Sequence, residues 1–159
     1  MTQNPYQTPV ADVAVKASGQ RKSRPVLGVI LGFILDIGFT VVGMFLVGAA
    51  IGVYVVSQGG GPDEINAFVS ERAETFQWIS SVIGYIGSFL GGLLCAYLAR
   101  EKLTKPIAAL IFLTISSGGM VTYFAGGDMR SFAASSVIAT VVTLLGAGLY
   151  YRGSMLNKA

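Results

Sequence analysis

The sequence predicts an all-α membrane protein: a four-transmembrane-helix bundle with both termini on the cytoplasmic side. Three observations predict it. Charged residues make up 12% of the chain and mean hydropathy is +0.66, whereas a soluble domain carries roughly 25% charged residues. Four apolar runs, each long enough to cross a hydrocarbon core, are separated by short polar breaks. Nine of the eleven Lys and Arg residues fall on one side of the topology those runs define. With no histidine and one cysteine, the inventory excludes a His-ligated metal site, a disulfide framework and a Ser-His-Asp triad.

Residues 1–25 read as a disordered cytoplasmic tail. They are polar, show no helical or strand period, and end in the basic cluster Arg21, Lys22 and Arg24. A cleavable signal peptide is not expected, because the apolar run that follows far exceeds the roughly 7–15 residues of an h-region.

The transmembrane domain is expected over residues 26–152, with spans at 26–56, 77–99, 106–126 and 131–151. The first run is interrupted only by Asp36 and Thr40. At 1.5 Å per residue it would reach about 46 Å, more than the ~30 Å core, so this helix must tilt, kink or project. Gly59-Gly60-Gly61 ends it, and Pro62-Asp63-Glu64 suits the start of another helix, with carboxylates near the positive dipole end. Ile65, Phe68, Val69, Arg72 and Phe76 recur at three-to-four-residue spacing, predicting a short amphipathic helix over 63–75 in the first external loop. Trp78 opens the second span at an interface position. The turn Arg100–Lys105 leads to Pro106 and the third span. Gly126-Gly127-Asp128 closes that span, and Tyr150-Tyr151-Arg152 mark the far end of the fourth. Residues 153–159 form a cytoplasmic C-terminal tail.

Orientation follows from the basic residues. The N-terminal tail, the second loop and the C-terminus hold all but Arg72 and Arg130, which places both termini in the cytoplasm. Cations beside helix ends face anionic lipid. Since aromatic residues do not interleave with them, nucleic acid is not an expected partner.

Small residues then predict the packing. Along the second span Ser80, Gly84, Ser88, Gly92 and Ala96 form one column at four-residue spacing, and Gly87, Gly91, Cys95 and Ala99 form another beside it. Ser80, Gly84, Gly87, Ser88, Gly91 and Gly92 are therefore the expected helix-packing surface, because close backbone approach drives association in lipid. Two flat faces make this the central helix. The columns serve either the bundle itself or an interface with a second copy or another membrane protein. Shorter columns, Gly28-Gly32 and Gly48-Gly52, lie on the first span.

Asp36 is the one ionisable side chain inside an apolar run, which makes it a candidate functional group. Counting about 17–18 Å inward from the cytoplasmic basic residues places Asp36, Ser88, Ser116 and Thr140 at one depth, a candidate polar layer with Ser117 and Thr143 as alternates. If residues 37–56 alone cross the membrane, Asp36 instead lies at the cytoplasmic boundary near Arg100 or Lys102.

A P-loop, a GxGxxG after a strand, HExxH and GxSxG are all absent from the sequence, so neither an enzyme nor a cofactor is expected. The first expectation for function is a non-enzymatic accessory, assembly or scaffold subunit acting through helix packing. The alternative is a small oligomeric channel or transporter using Asp36.

Asn4-Pro5-Tyr6-Gln7-Thr8-Pro9 resembles the NPYxxP tail of many small bacterial inner-membrane proteins of uncharacterised families. The resemblance covers six residues and implies a bacterial source and the cytoplasmic membrane. Asn4, Pro5, Tyr6 and Pro9 would form a pre-ordered segment presenting one aromatic ring, either a docking motif for a cytoplasmic partner or a passive tail.

Overall fold

The computed structural model describes residues 23–99, 103–124 and 126–156, the last three by backbone only. Residues 1–22 of the expected N-terminal tail, with the Asn-Pro-Tyr motif, the loop residues Arg100 and Lys102, and the end of the C-terminal tail lie outside the described residues. Five helices and, among the described residues, no strand make up the fold: α1 (Pro25–Ser57), α2 (Pro62–Glu71), α3 (Ala73–Ala99), α4 (Thr104–Phe124) and α5 (Met129–Leu156). Four of them, all but α2, are long and apolar enough to cross a membrane.

The ends of these helices follow from local chemistry. Pro25 occupies the first turn of α1, where its missing N–H and fixed φ do no harm. At the other end Gly59 takes φ +83°, and the amides of Gly59 and Gly60 bond back to the Val56 and Val55 carbonyls at 2.9 and 3.0 Å. This is a Schellman closure, which glycine accepts without a Cβ clash. Gly126 (φ +67°) and Gly127 close α4 in the same way on Tyr123 and Thr122. The short helix after α1 is briefer than the periodicity suggests. It stops at Glu71, and Arg72 alone joins it to α3, so Phe76 belongs to α3. Phe68 nevertheless packs between the Tyr54 and Phe76 rings, with the Arg72 guanidinium 4.1 Å from its centre.

α3 is the hinge of the packing. It lies against α1 on one side and α5 on the other, while among the described residues no Cα of α1 comes within 8 Å of one of α5. The two small-residue columns make these contacts. A Cβ on Gly28 would lie 2.9 Å from the Cys95 carbonyl oxygen, and one on Gly87 would lie 2.9 Å from that of Asp36. On the α5 side Gly92 meets the Thr143 carbonyl, and Gly146 meets that of Phe89. Such backbone approach is open only to small residues and multiplies dispersion contacts that lipid cannot outcompete. Ser23 and Arg24 also donate to the Ala99 and Leu98 carbonyls at 2.6 and 3.0 Å, tying the start of α1 to the end of α3.

The columns are not used along their whole length. Open space surrounds the position of a Cβ on Gly84, Gly48 or Gly52. The close backbone contacts of α3 begin at Gly87 and continue toward its C-terminus, while nearer its start the Ile83 side chain fills the space a Cβ on Gly43 of α1 would take. α4 completes the bundle by resting on the other three helices. Its buried residues, Pro106, Ile107 and Leu110, all lie near its N-terminus, where Ile107 and Leu110 join Cys95, Ala96 and Ala147 in the core. Beyond Leu110 it has no buried residue.

Candidate functional site

Asp36 stands in line with Gly28 and Gly32, about two turns beyond the first and one beyond the second on the α1 face that meets α3. It is 6% exposed. Its Oδ1 accepts the Ser88 hydroxyl from α3 and its Oδ2 accepts the Thr114 hydroxyl from α4, both at 3.0 Å. Gly87 makes room for this arrangement, since a Cβ there would lie 3.1 Å from Asp36 Oδ1 and 3.3 Å from the Thr40 hydroxyl. The carboxyl group thus joins three helices through two side-chain bonds, and no buried polar side-chain atom among the described residues lacks a partner. Thr114 has ten residues of α4 on either side of it, about 15 Å in each direction. Asp36 therefore sits level with the middle of that helix.

Of the four residues in the expected polar layer, Asp36 and Ser88 come together and the other two do not join them. Ser116 is exposed, about 200° around α4 from Thr114. The Thr140 hydroxyl turns back to the Ser136 carbonyl at 2.8 Å on its own helix. Thr143, an alternate, bonds the Ala139 carbonyl, and Ser117 bonds that of Thr114. Counting depth from the basic residues selects a level but not a face. The inward face of α4 is marked by Ile107, Leu110 and Thr114, which recur at three-to-four-residue spacing, and Thr114 takes the place in the layer expected for Ser116.

Where α4 stops burying residues, a cavity of about 630 Å³ opens between it and α1, α3 and α5. Asp36 and Thr40, Ser88 and Gly84, Thr114 and Phe132 are among its walls. From the level of Asp36, Ser88 and Thr114 its lining residues run along α3, α4 and α5 toward the α2–α3 and α4–α5 connections, and Asp36 lies at the inner end. Phe132 closes one side, its ring resting on Gly118 and Gly119, where a Cβ would come within 3.0 and 3.2 Å of ring carbons. Comparison of the chain with protein families, with curated proteins and with solved structures finds no match.

The chemistry available in this cavity is therefore read from its own groups. The walls are mainly apolar, with hydroxyls and a single carboxyl, and no Lys or Arg lines them. Among the described residues no group of three or more His, Cys, Asp or Glu side chains is placed to hold a metal ion. Nor does a nucleophile face a base: Cys95 is buried in the core on the other side of the carboxyl, among Ala96, Ile107 and Leu110. What the arrangement offers is a recess of ligand size ending on one acid group.

Proposed function

We propose that this chain is a non-enzymatic, multi-pass protein of a bacterial inner membrane that takes a small solute into the cavity and uses Asp36 to receive it, as a small oligomeric channel or transporter. The observation that carries this reading is the joining of a 630 Å³ recess to a buried carboxyl at its inner end. A polar layer serving structure alone requires the hydroxyl bonds but not the open space beside them. An ionisable group so placed is costly in lipid and is retained where it has work to do. The basic residues favour cytoplasmic termini, so the cavity occupies the external half of the bundle. Four helices enclose little volume, and a second copy would complete a route across. Reconstituted vesicles report the activity: proton and small-cation flux through the wild type should exceed that through Asp36→Asn by about tenfold, the size of a 1.4 kcal/mol penalty. Equal flux, or none from either protein, removes the transport reading.

A second reading, an accessory or scaffold subunit acting through helix packing, is favoured by one feature. Gly48 and Gly52 lie one turn apart on α1 with open space around them, beside the exposed Phe45 and Val53. Of the α3 column glycines, Gly87, Gly91 and Gly92 contact α1 and α5 within the chain, so they are not free to serve such an interface. Co-purification of differently tagged copies, or of a membrane partner, should fall with Gly48→Leu and Gly52→Leu; unchanged association would sink it.

A further inference from the structure

We infer that the cavity is a site for an amphipathic organic ammonium ion, its charged head at Asp36 and its apolar body against Phe132 and the neighbouring aliphatic walls. The inference rests on the reading of the cavity as a solute site and names the class of solute.

Charge comes first. Asp36 is the only carboxyl in the lining, and no basic side chain opposes it, so an anion would meet repulsion without compensation. Hydrogen-bond capacity points the same way. Ser88 and Thr114 donate to the Asp36 carboxyl and Thr40 to the Asp36 backbone carbonyl. Ser81, Ser117 and Thr122 donate to carbonyls of their own helices. A hydroxyl has one proton and two lone pairs. With these six protons committed, these hydroxyls present acceptor lone pairs and suit a ligand head rich in N–H donors. The carboxyl has further lone-pair sites beyond the two in use.

Size and wall character complete the argument. The recess is of the order that holds a drug-sized molecule, far larger than a bare metal ion, which needs about six oxygens converging at 2.3–2.6 Å. The walls away from Asp36 are carbon-rich, with Val41, Ile115, Val121 and Phe132 among them. They suit an apolar body better than a chain of water.

Calorimetric titration of the purified full-length protein in detergent tests this with three probes of one shape: 2-phenylethylammonium, neutral 2-phenylethanol and anionic phenylacetate. The ammonium should bind at least about tenfold more tightly than either counterpart, and Asp36→Asn should reduce it to the level of the alcohol. Gly84→Leu provides a second variant. Its Cβ enters open space at the cavity wall rather than a helix contact, so it should weaken ammonium binding while gel-filtration behaviour and helical content stay as in the wild type. Ammonium and alcohol binding equally to the wild type, unchanged ammonium affinity in a folded Asp36→Asn or Gly84→Leu, or no binding of the ammonium would each overturn the inference. Asp36-dependent binding without flux supports this site and removes transport. Asp36-dependent proton flux from a protein that binds no ammonium does the reverse.

Discussion

Gly32 of α1 and Gly91 of α3 face each other backbone to backbone: a Cβ on Gly32 would lie 2.8 Å from the Gly91 carbonyl oxygen, and one on Gly91 would lie 2.7 Å from that of Gly32. Neither residue can gain a side chain unless a helix moves. Because the obstructing atoms are backbone, rotamer changes give no relief. Gly91→Ala should therefore destabilise the bundle by about 1–3 kcal/mol, the usual effect of overpacking. Gly84→Ala, on the same helix but in open space, should stabilise it by about 0.5–1 kcal/mol through helix propensity. Unfolding in mixed micelles measures both. If the two substitutions have equal effects, the close approach of α1 and α3 is not as described.

The hydroxyl bonds to Asp36 should contribute little stability each. Ser88 and Thr114 have an alternative once the carboxyl is removed, since a helical hydroxyl can bond the carbonyl four residues back, as Thr40, Thr140 and Thr143 do here. Double-mutant cycles pairing Asp36→Ala with Ser88→Ala or Thr114→Val should give coupling energies near 0.6 kcal/mol and below about 1.7 kcal/mol, as for other interhelical bonds in membranes. Zero coupling in both cycles would show that the three helices do not meet at this carboxyl. A larger value would point to a charged group kept apart from any fallback partner.

The sequence carried the spans, the central place of α3 and the importance of Asp36 because each depends on a short-range pattern. Gly28, Gly32, Asp36 and Thr40 share one stripe of α1, so the glycines that admit α3 also bring the carboxyl to it. The stripe of Ile107, Leu110 and Thr114 on α4 was equally present but was masked by Ser116 and Ser117, which offered hydroxyls at nearly the same depth. Ser80 and Gly84 continue a regular column, yet they line a cavity rather than a contact. A cavity forms where neighbouring helices fail to fill space together, and no single helix encodes that failure. Beyond Leu110, α4 meets α1 through the Thr114–Asp36 bond and α5 through the Phe132 ring on Gly118-Gly119, and the cavity lies between these contacts.

Cysteine labelling tests the orientation proposed from the basic residues. The native Cys95 is fully buried, so it should contribute little background. Asn66 on α2 and Thr104 at the start of α4 are both exposed and belong to opposite ends of the bundle. A membrane-impermeant maleimide should label Asn66→Cys in intact spheroplasts and Thr104→Cys only after permeabilisation. The reverse pattern would invert the topology and turn the cavity toward the cytoplasm.

Asp128 caps α5 and should make its first turn sensitive to acid. Its Oδ1 accepts the Arg130 amide at 3.0 Å, while its Oδ2 accepts the Ser131 amide at 3.1 Å and the Ser131 hydroxyl at 2.7 Å. The Ser131 hydroxyl, followed by the two amides, holds this carboxyl below the usual carboxylate range. The folded protein therefore takes up this proton at lower pH than the unfolded chain does. The cap is fully effective above the ordinary carboxylate value and is lost as the pH falls through the lowered one. Hydrogen exchange of the Arg130 and Ser131 amides, corrected for intrinsic rates, should show protection falling in that acid window. In Asp128→Asn, which can still accept through its side-chain carbonyl, protection should be insensitive to pH there; in Asp128→Ala it should be reduced at every pH. A fall of the same size and midpoint in Asp128→Asn would assign the acid response to another group.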